Sequence, residues 1–169
     1  MKIKRIPVGP LQANCYVIID KDNYALIIDP GDEPQKIIEV VSSYNVENIL
    51  ITHSHADHIG ALKELKEYFK IDIMNREKHI SYETIPTPGH TKDSVSYYFK
   101  KENIVFTGDF IFEGTIGRTD LGGNSKEMKE SIQYFLKRFS DTTIIYPGHG
   151  ASTTLEKERK NLENILEYL

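Results

Sequence analysis

Short apolar runs separated by polar turns recur along the chain, and their spacing predicts alternating strands and helices. Residues 2–8 alternate enough to form an edge strand, which the prolines and glycine of positions 7–10 end because proline cannot donate to a strand ladder. The apolar runs 14–19 and 24–28 flank polar turn residues and predict a β-hairpin. Further strands are predicted at 49–51, 71–74, 79–85, 94–99, 104–107 and 143–146.

Four stretches carry apolar residues at the three- and four-residue spacing of an amphipathic helix. The first opens at Pro34, because proline is favoured at the first helical position, and the second ends near Lys70. The third follows Asn124, a good N-cap, and the last opens at Thr153 and Glu156, which have capping-box spacing. Their apolar faces are Ile37, Val41 and Tyr44; Ile59, Leu62, Leu65 and Phe69; Met128, Ile132, Phe135, Leu136 and Phe139; and Leu155, Leu162, Ile165, Leu166 and Leu169.

The bulk properties predict one domain over residues 1–169, long enough to bury a core. The net charge is −4 with interspersed signs, which argues against a nucleic-acid partner. The single Cys15 excludes an internal disulfide, and we find no signal-peptide pattern and no run of membrane-spanning length. We therefore expect a cytoplasmic protein with no membrane partner. The sequence does not predict its oligomeric state.

Candidate chemistry concentrates in the segment 52–58, with the sequence THSHADH. Alternate side chains of an extended segment point the same way, so His53 and His55 can direct both imidazoles to one point. Asp57 and His58 follow at the start of a helix and cannot easily point there. The spacing therefore predicts two metal ions and not one. Nitrogen and oxygen ligands without thiolate fit Zn²⁺, Mn²⁺ or iron.

Three more candidate ligands each stand just past an apolar run. His90 and His149 both occur in Pro-Gly-His turns, and Asp109 follows a glycine at the end of a strand. The fixed position of the Asp109 carboxylate suits a bridging ligand. Loops at one edge of packed sheets can form a site without disturbing the core. We expect a fold of two sheets face to face with helices on both outer sides.

Two aspartates and a cysteine receive structural interpretations. Asp29 and Asp32 could reach a metal site, but turn formation is the default explanation for both. Cys15 is predicted to be a small buried residue and not a nucleophile.

Outside the histidine motif, His79 is predicted to lie on a strand surface. The glycine-rich loop 113–123 is expected to form a wall beside the site. Its Arg118 could bind a substrate carboxylate, although a structural pair with Asp120 is favoured.

The His53-x-His55-x-Asp57-His58 motif resembles the signature of the metallo-β-lactamase superfamily. The segments 9–16, 117–120 and 148–154 resemble its compact glyoxalase II-like hydrolases. The resemblance implies an α/β fold, namely the αββα four-layer sandwich of two mixed β-sheets flanked by helices.

The resemblance also implies the ligand sets. One metal is expected on His53, His55 and His90, a second on Asp57, His58 and His149, with Asp109 as the bridge. Asp57 and Asp109 are the candidate catalytic residues. Zinc is the favoured metal for both positions, with iron and manganese as alternatives.

The implied activity is hydrolysis of a small thioester such as a hydroxyacyl-glutathione, with a metal-bridging hydroxide as the nucleophile. A thiolate departs without a strong general acid because its conjugate acid has a pKa of about 8.5, which favours a thioester over an amide or phosphodiester. Larger glyoxalase II enzymes carry a C-terminal helical domain that supplies part of the glutathione site. We expect this chain, which continues for one helix after His149, to lack that domain.

Several alternatives stay open. The first is a persulfide dioxygenase in which two histidines and Asp109 hold a single iron ion. The others are a metal-binding protein without catalysis and another hydrolase of the superfamily, either a nuclease or an esterase. The native acyl group and thiol carrier are not predicted, because fold does not decide substrate.

Overall fold

A computed structural model of the protein describes residues 1–71 and 79–169. The chain divides into two compact units, one of residues 1–51 with 55–81 and one of residues 52–54 with 82–169. The strand predicted at 71–74 lies outside the described residues apart from Ile71, and the single domain stays a prediction.

The first unit contains a four-stranded mixed sheet. Its strands are β1 (Lys2–Val8), β2 (Ala13–Ile19), β3 (Tyr24–Ile28) and β4 (Asn45–Leu50), and they lie side by side in that order. The β1–β2 and β2–β3 pairs are antiparallel, which confirms the predicted edge strand and hairpin. β4 runs parallel to β3, so the connection must cross over, and helix α1 (Pro34–Val41) provides that crossover.

The helical segment after the histidine motif has two parts, α2 (Ala56–Ile59) and α3 (Leu62–Phe69). The break includes Gly60, where a Cβ atom would lie 2.2 Å from the carbonyl oxygen of Gly31. As predicted, the helical segment ends at Lys70, which adopts a left-handed conformation. The sheet and the apolar faces of α1 and α3 form the core of this unit, including Ile37, Val41 and Leu65.

The second unit contains a five-stranded mixed sheet and a short hairpin. The strands are β5 (Glu83–Pro86), β6 (Val95–Phe99), β7 (Ile104–Gly108), β8 (Ile111–Phe112), β9 (Thr115–Ile116), β10 (Ile144–Pro147) and β11 (Thr153–Thr154). The sheet order is β11-β10-β7-β6-β5, and β8 pairs with β9. β10 is parallel to β7, while β6 is antiparallel to both β7 and β5. β5, β7 and β10 therefore run in the same direction and end at the same edge.

Helices α4 (Ser125–Arg138) and α5 (Leu155–Ile165) pack on this unit's core. The predicted cap of α4 is confirmed, since the side chain of Asn124 accepts from the amides of Lys126 at 2.8 Å and Glu127 at 3.1 Å. The capping box predicted for α5 is wrong. Thr154 is the N-cap residue, and the Thr153 hydroxyl donates instead to the buried carboxylate of Glu158 at 2.7 Å.

The strand predicted over 79–85 is confirmed only from Glu83, where β5 begins, and is wrong for residues 79–82. His79 is not on a strand surface. Its ring stacks on Tyr24 with centroids 3.4 Å apart, and its Nδ1 lies 3.3 Å from the Glu47 carboxylate. Glu47 also accepts the amides of His79 and Ile80. These partners are distant in sequence, so local alternation could not reveal them.

Candidate metal centre

Three predicted ligands follow strands that end at one edge of the five-stranded sheet. His90 comes after β5, Asp109 directly after β7 and His149 after β10. The amide of Gly148 donates to the Gly108 carbonyl at 2.8 Å, which ties the turns of Asp109 and His149 together. The prediction that strand ends carry the candidate ligands is confirmed for these three residues.

Three imidazoles face one carboxylate oxygen. Oδ2 of Asp109 lies 3.6 Å from Nε2 of His90, 3.6 Å from Nε2 of His149 and 4.0 Å from Nε2 of His53. These separations exceed hydrogen-bond length. Two donors that bind one ion at about 2.0–2.2 Å can be at most about 4.4 Å apart, and all three separations meet that limit. The distances therefore leave space for a cation between imidazole and carboxylate.

A backbone contact determines which nitrogen of His90 is a lone-pair donor. Nδ1 lies 2.7 Å from the carbonyl oxygen of Arg118. Because a carbonyl only accepts, Nδ1 carries the proton and the neutral ring presents its lone pair at Nε2. A lone pair facing a carboxylate is repelled unless a proton or a cation lies between them. The donor set therefore fits a metal ion.

The position of His53 is fixed through its neighbour Thr52. The Thr52 carbonyl accepts the Val95 amide at 2.8 Å, and Thr52 Oγ1 lies 3.1 Å from His53 Nδ1. Gly108, at φ 51°, packs so close that a Cβ there would lie 2.2 Å from Thr52 Oγ1. The glycine before Asp109 thus allows both the turn and the approach of the His53 segment.

Ser54, between the two histidines, contacts an acidic side chain. Its side chain hydrogen-bonds to the carboxylate of Asp93, which also accepts from the Thr91 hydroxyl at 2.7 Å. Burial alone would raise the pKa of Asp93, but these hydrogen bonds bring it below its ordinary value.

In the first unit, the predicted ligands Asp57 and His58 are adjacent on α2. His58 is fully buried, and its Nε2 lies 3.6 Å from Oδ2 of Asp57. Its Nδ1 lies 3.0 Å from Oδ2 of Asp29, a carboxylate that is itself buried. Because that carboxylate accepts a hydrogen bond, the proton of His58 lies on Nδ1, and Nε2 is left with the lone pair that can bind a metal.

Sequence reasoning missed the role of Asp29 as the partner of His58. Turn formation explains Asp32, whose Oδ1 accepts the Glu33 amide at 2.7 Å, but it does not account for the Asp29 side chain. Asp29 directly follows β3, as Asp109 directly follows β7. A carboxylate immediately after a buried strand was the available signal.

We predict that Asp29→Ala lowers metal affinity about 10- to 100-fold, the usual effect of removing a carboxylate that orients a ligating histidine. His58 would lose the acceptor that fixes its Nδ1 proton. Competition with a chromophoric chelator measures the affinity. Asp32→Ala, in the same turn, is the control and should bind like the unsubstituted protein. Equal affinities of the two variants would refute the role of Asp29.

His55 lies at the N-cap of α2 with an extended backbone, φ −63° and ψ 145°. Its carbonyl accepts the His58 amide at 2.9 Å, which links it to the helix that carries Asp57 and His58. Its assignment to a metal stays a prediction.

The glycine-rich loop lies against the turn that carries His90, in agreement with the predicted wall. A Cβ atom at Gly117 would lie 1.8 Å from the Asp109 carbonyl oxygen and 3.0 Å from Nδ1 of His90. A Cβ atom at Gly123 would lie 2.0 Å from the Gly89 carbonyl oxygen. Gly117 in the middle of the loop and Gly123 at its end therefore both require glycine for close packing.

Arg118 and Cys15 have the surroundings that the sequence favoured. The Arg118 guanidinium donates to both oxygens of Asp120 at 2.6 and 2.7 Å, and these bonds lower the pKa of Asp120 to about 2.

Burial, with the charge of Asp29, raises the pKa of the Cys15 thiol. A protonated, buried thiol is a poor nucleophile.

Strand-end histidines and aspartates on an α/β scaffold indicate a metal-binding protein. A sequence model of the metallo-β-lactamase superfamily matches residues 8–83 and 75–149, and the chain belongs to this superfamily. The predicted fold class is confirmed as the metallo-β-lactamase fold, with mixed sheets flanked by helices.

Two relatives cover nearly the whole chain. The probable metallo-hydrolase YqgX of Bacillus subtilis is 35% identical, with 94% of this chain and 95% of YqgX aligned. The hydroxyacylglutathione hydrolase GloC of Haemophilus influenzae is 31% identical, with 95% and 96% aligned. The chain is therefore a metallo-hydrolase of this superfamily, and membership implies a small-molecule substrate.

Solved structures give the same fold. BLEG-1 B3 metallo-β-lactamase is 31% identical with a TM-score of 0.84, covering 94% of this chain and 97% of its own. TTHA1623 in a di-iron-bound form is 28% identical with a TM-score of 0.83, covering 94% and 98%. ETHE1 from Myxococcus xanthus is 26% identical with a TM-score of 0.80, covering 99% and 90%.

The fold and its histidine and aspartate cluster indicate a site for two metal ions. Among residues 1–71 and 79–169, none of the helices has the length and hydrophobicity of a membrane span.

Proposed function

We propose that this metallo-hydrolase cleaves a small thioester of the hydroxyacyl-glutathione type at a centre of two divalent ions. In this proposal, His53, His55 and His90 hold one ion and Asp57, His58 and His149 hold the other, with Asp109 between them. Zinc is the proposed metal, with iron or manganese as alternatives. A cytoplasmic location is part of the proposal, supported by the single cysteine.

The convergence of imidazoles on Asp109 carries the proposal. His53 and His90 belong to one proposed ion and His149 to the other, yet the Nε2 atoms of all three lie 3.6 to 4.0 Å from one Asp109 oxygen. A carboxylate that faces ligands of both ions suits a bridge. The Asp29 contact supports the role of His58 as a metal ligand. It holds the proton on Nδ1, so the lone pair lies on Nε2 at the other side of the ring.

The proposed ligands would hold two divalent ions, which would supply a bound water with its pKa lowered towards neutrality and polarisation of the substrate carbonyl. The chain's residues fix the geometry. The His53 and His58 side chains are 1% and 0% exposed, so these two proposed ligands are shielded from bulk water. Asp57 is more exposed than Asp109, with side chains 25% and 12% accessible. We assign Asp57 the role of accepting the proton that the attacking water releases.

The thioester assignment rests on leaving-group chemistry and on one relative. A thiolate needs little assistance because its conjugate acid has a pKa of about 8.5, and Asp57 can return the proton to it afterwards. GloC, which matches 95% of this chain at 31% identity, is named as a hydroxyacylglutathione hydrolase. The net charge of −4 argues against a nuclease.

Metal content and turnover of one sample test the proposal. Protein purified without added metal is analysed for metal and assayed with S-D-lactoylglutathione. Two divalent ions per chain and hydrolysis that a chelator abolishes are the expected result. Two ions without thioester turnover, together with cleavage of the β-lactam nitrocefin, would replace the thioester by a β-lactam.

A mononuclear-iron persulfide dioxygenase is the second candidate, and the likeness to ETHE1 leaves it open. The same samples distinguish it. One iron per chain, no thioester hydrolysis and oxygen uptake with glutathione persulfide would overturn the hydrolase proposal.

A further inference from the structure

Glu158 is a buried carboxylate that the proposed metal ligands leave unexplained. It lies on α5 and is 3% exposed. Its Oε2 accepts the Gly114 amide at 2.8 Å, and its Oε1 accepts the Thr153 hydroxyl at 2.7 Å. Burying a carboxylate is unfavourable unless hydrogen bonds compensate, so the segment that these bonds hold is of interest.

The Gly114 amide belongs to the turn of the β8–β9 hairpin. Each strand of this hairpin has only two residues, paired as Ile111 with Ile116 and Phe112 with Thr115. So short a hairpin is not stable by itself and needs external contacts. Glu158 supplies one of them from a residue 44 positions away in the chain.

The hairpin and the residues that directly follow it contact two of the proposed ligand imidazoles. The Phe112 ring lies edge-on to the His149 ring, with centroids 6.2 Å apart. After β9 the chain runs into Gly117, whose amide donates to Phe110, and then into Arg118, whose carbonyl accepts Nδ1 of His90 at 2.7 Å. Displacing the hairpin would therefore disturb the orientation of both histidines.

We propose that Glu158 is a positioning residue for the metal centre. By accepting the Gly114 amide it holds residues 111–118 where the Arg118 carbonyl fixes the Nδ1 proton of His90 and Phe112 packs on His149. The inference rests on the proposed function only in treating His90 and His149 as metal ligands. Its effect on the His90 tautomer is independent of metal and substrate.

The test is the His90 tautomer in metal-free Glu158→Ala protein, measured by long-range ¹H–¹⁵N correlation NMR. The unsubstituted protein should show more of the Nδ1–H form than the variant, because its Nδ1 contacts a carbonyl, while the Asp109 carboxylate favours a proton on Nε2 equally in both proteins. The variant should show a substantial Nε2–H population, since the Arg118 carbonyl is no longer held. Its metal affinity should fall about 10-fold, as for other losses of ligand orientation.

Three further variants separate positioning from general stability. Glu158→Met retains a side chain of similar length and should give the same tautomer shift, which covers the case in which the alanine variant does not fold. Glu158→Gln keeps an acceptor for the Gly114 amide and should restore the Nδ1–H form. Glu47→Ala is the matched control, because Glu47 is 7% exposed and accepts the His79 and Ile80 amides in the first unit. It should lose stability but keep the His90 tautomer.

The outcomes distinguish this inference from the proposed function. If Glu158→Ala and Glu158→Met keep the Nδ1–H form and full metal affinity, Glu158 is only structural and the inference fails, whatever the substrate. If the tautomer shifts while the unsubstituted protein does not hydrolyse thioesters, the inference holds and the proposed function fails.

Discussion

Asp109→Asn is expected to reduce thioester hydrolysis by more than about a hundredfold and to remove at least one metal ion per chain. Loss of a residue that only orients a ligand already costs about 10- to 100-fold, and Asp109 faces three imidazoles directly. The asparagine amide keeps one neutral oxygen and places a donor where the second oxygen stood, so it cannot serve as an anionic bridge. Metal analysis and kcat/KM of the same sample give the result.

Asp141→Asn provides the control for that experiment. Asp141 is a surface carboxylate that pairs with Arg159, and the same change in charge and shape there should leave turnover and metal content unaltered. Asp109→Asn protein that keeps two ions and the turnover of the control would refute a bridging role for Asp109. Loss of turnover with both ions retained would limit Asp109 to the chemical step.

The sequence predicted most of the site because its ligands obey a simple rule. His90, Asp109 and His149 each follow a strand of the second unit's sheet, and strands that run in the same direction end at one edge of a sheet. The hydrophobic pattern therefore located these side chains before any tertiary contact was known. The spacing of His53 and His55 contained the same kind of information, since period two is a property of extended backbone.

The residues that the sequence missed act through contacts between distant segments. Asp29 meets His58 across 29 positions, and Glu158 meets Gly114 across 44. Asp29 fits a turn and Glu158 fits a helix surface, and the local sequence pattern alone cannot reject either explanation. The error at Thr153 has the same origin, because its hydroxyl bonds a buried carboxylate in preference to capping the helix.

Gly117→Ala in the glycine-rich loop is expected to disrupt the metal centre. The added Cβ would lie 1.8 Å from the Asp109 carbonyl oxygen and 3.0 Å from Nδ1 of His90, so the backbone must move. Overpacking of this kind costs about 1–3 kcal/mol in the free energy of unfolding. The movement would also separate the Arg118 carbonyl from His90. The free energy of unfolding measured in urea, the metal content and the turnover should all decrease together.

Gly122→Ala in the same loop separates steric displacement from the loss of a flexible residue. Gly122 has φ 90°, and within the part of the chain that the structure describes no atom lies within 4 Å of its added Cβ. An alanine there costs about 1–2 kcal/mol in backbone strain but contacts nothing in the site. We therefore expect Gly122→Ala to lose some stability while it keeps metal and turnover. If Gly117→Ala behaves in the same way, the loop tolerates displacement and the close packing beside His90 is unimportant for the site.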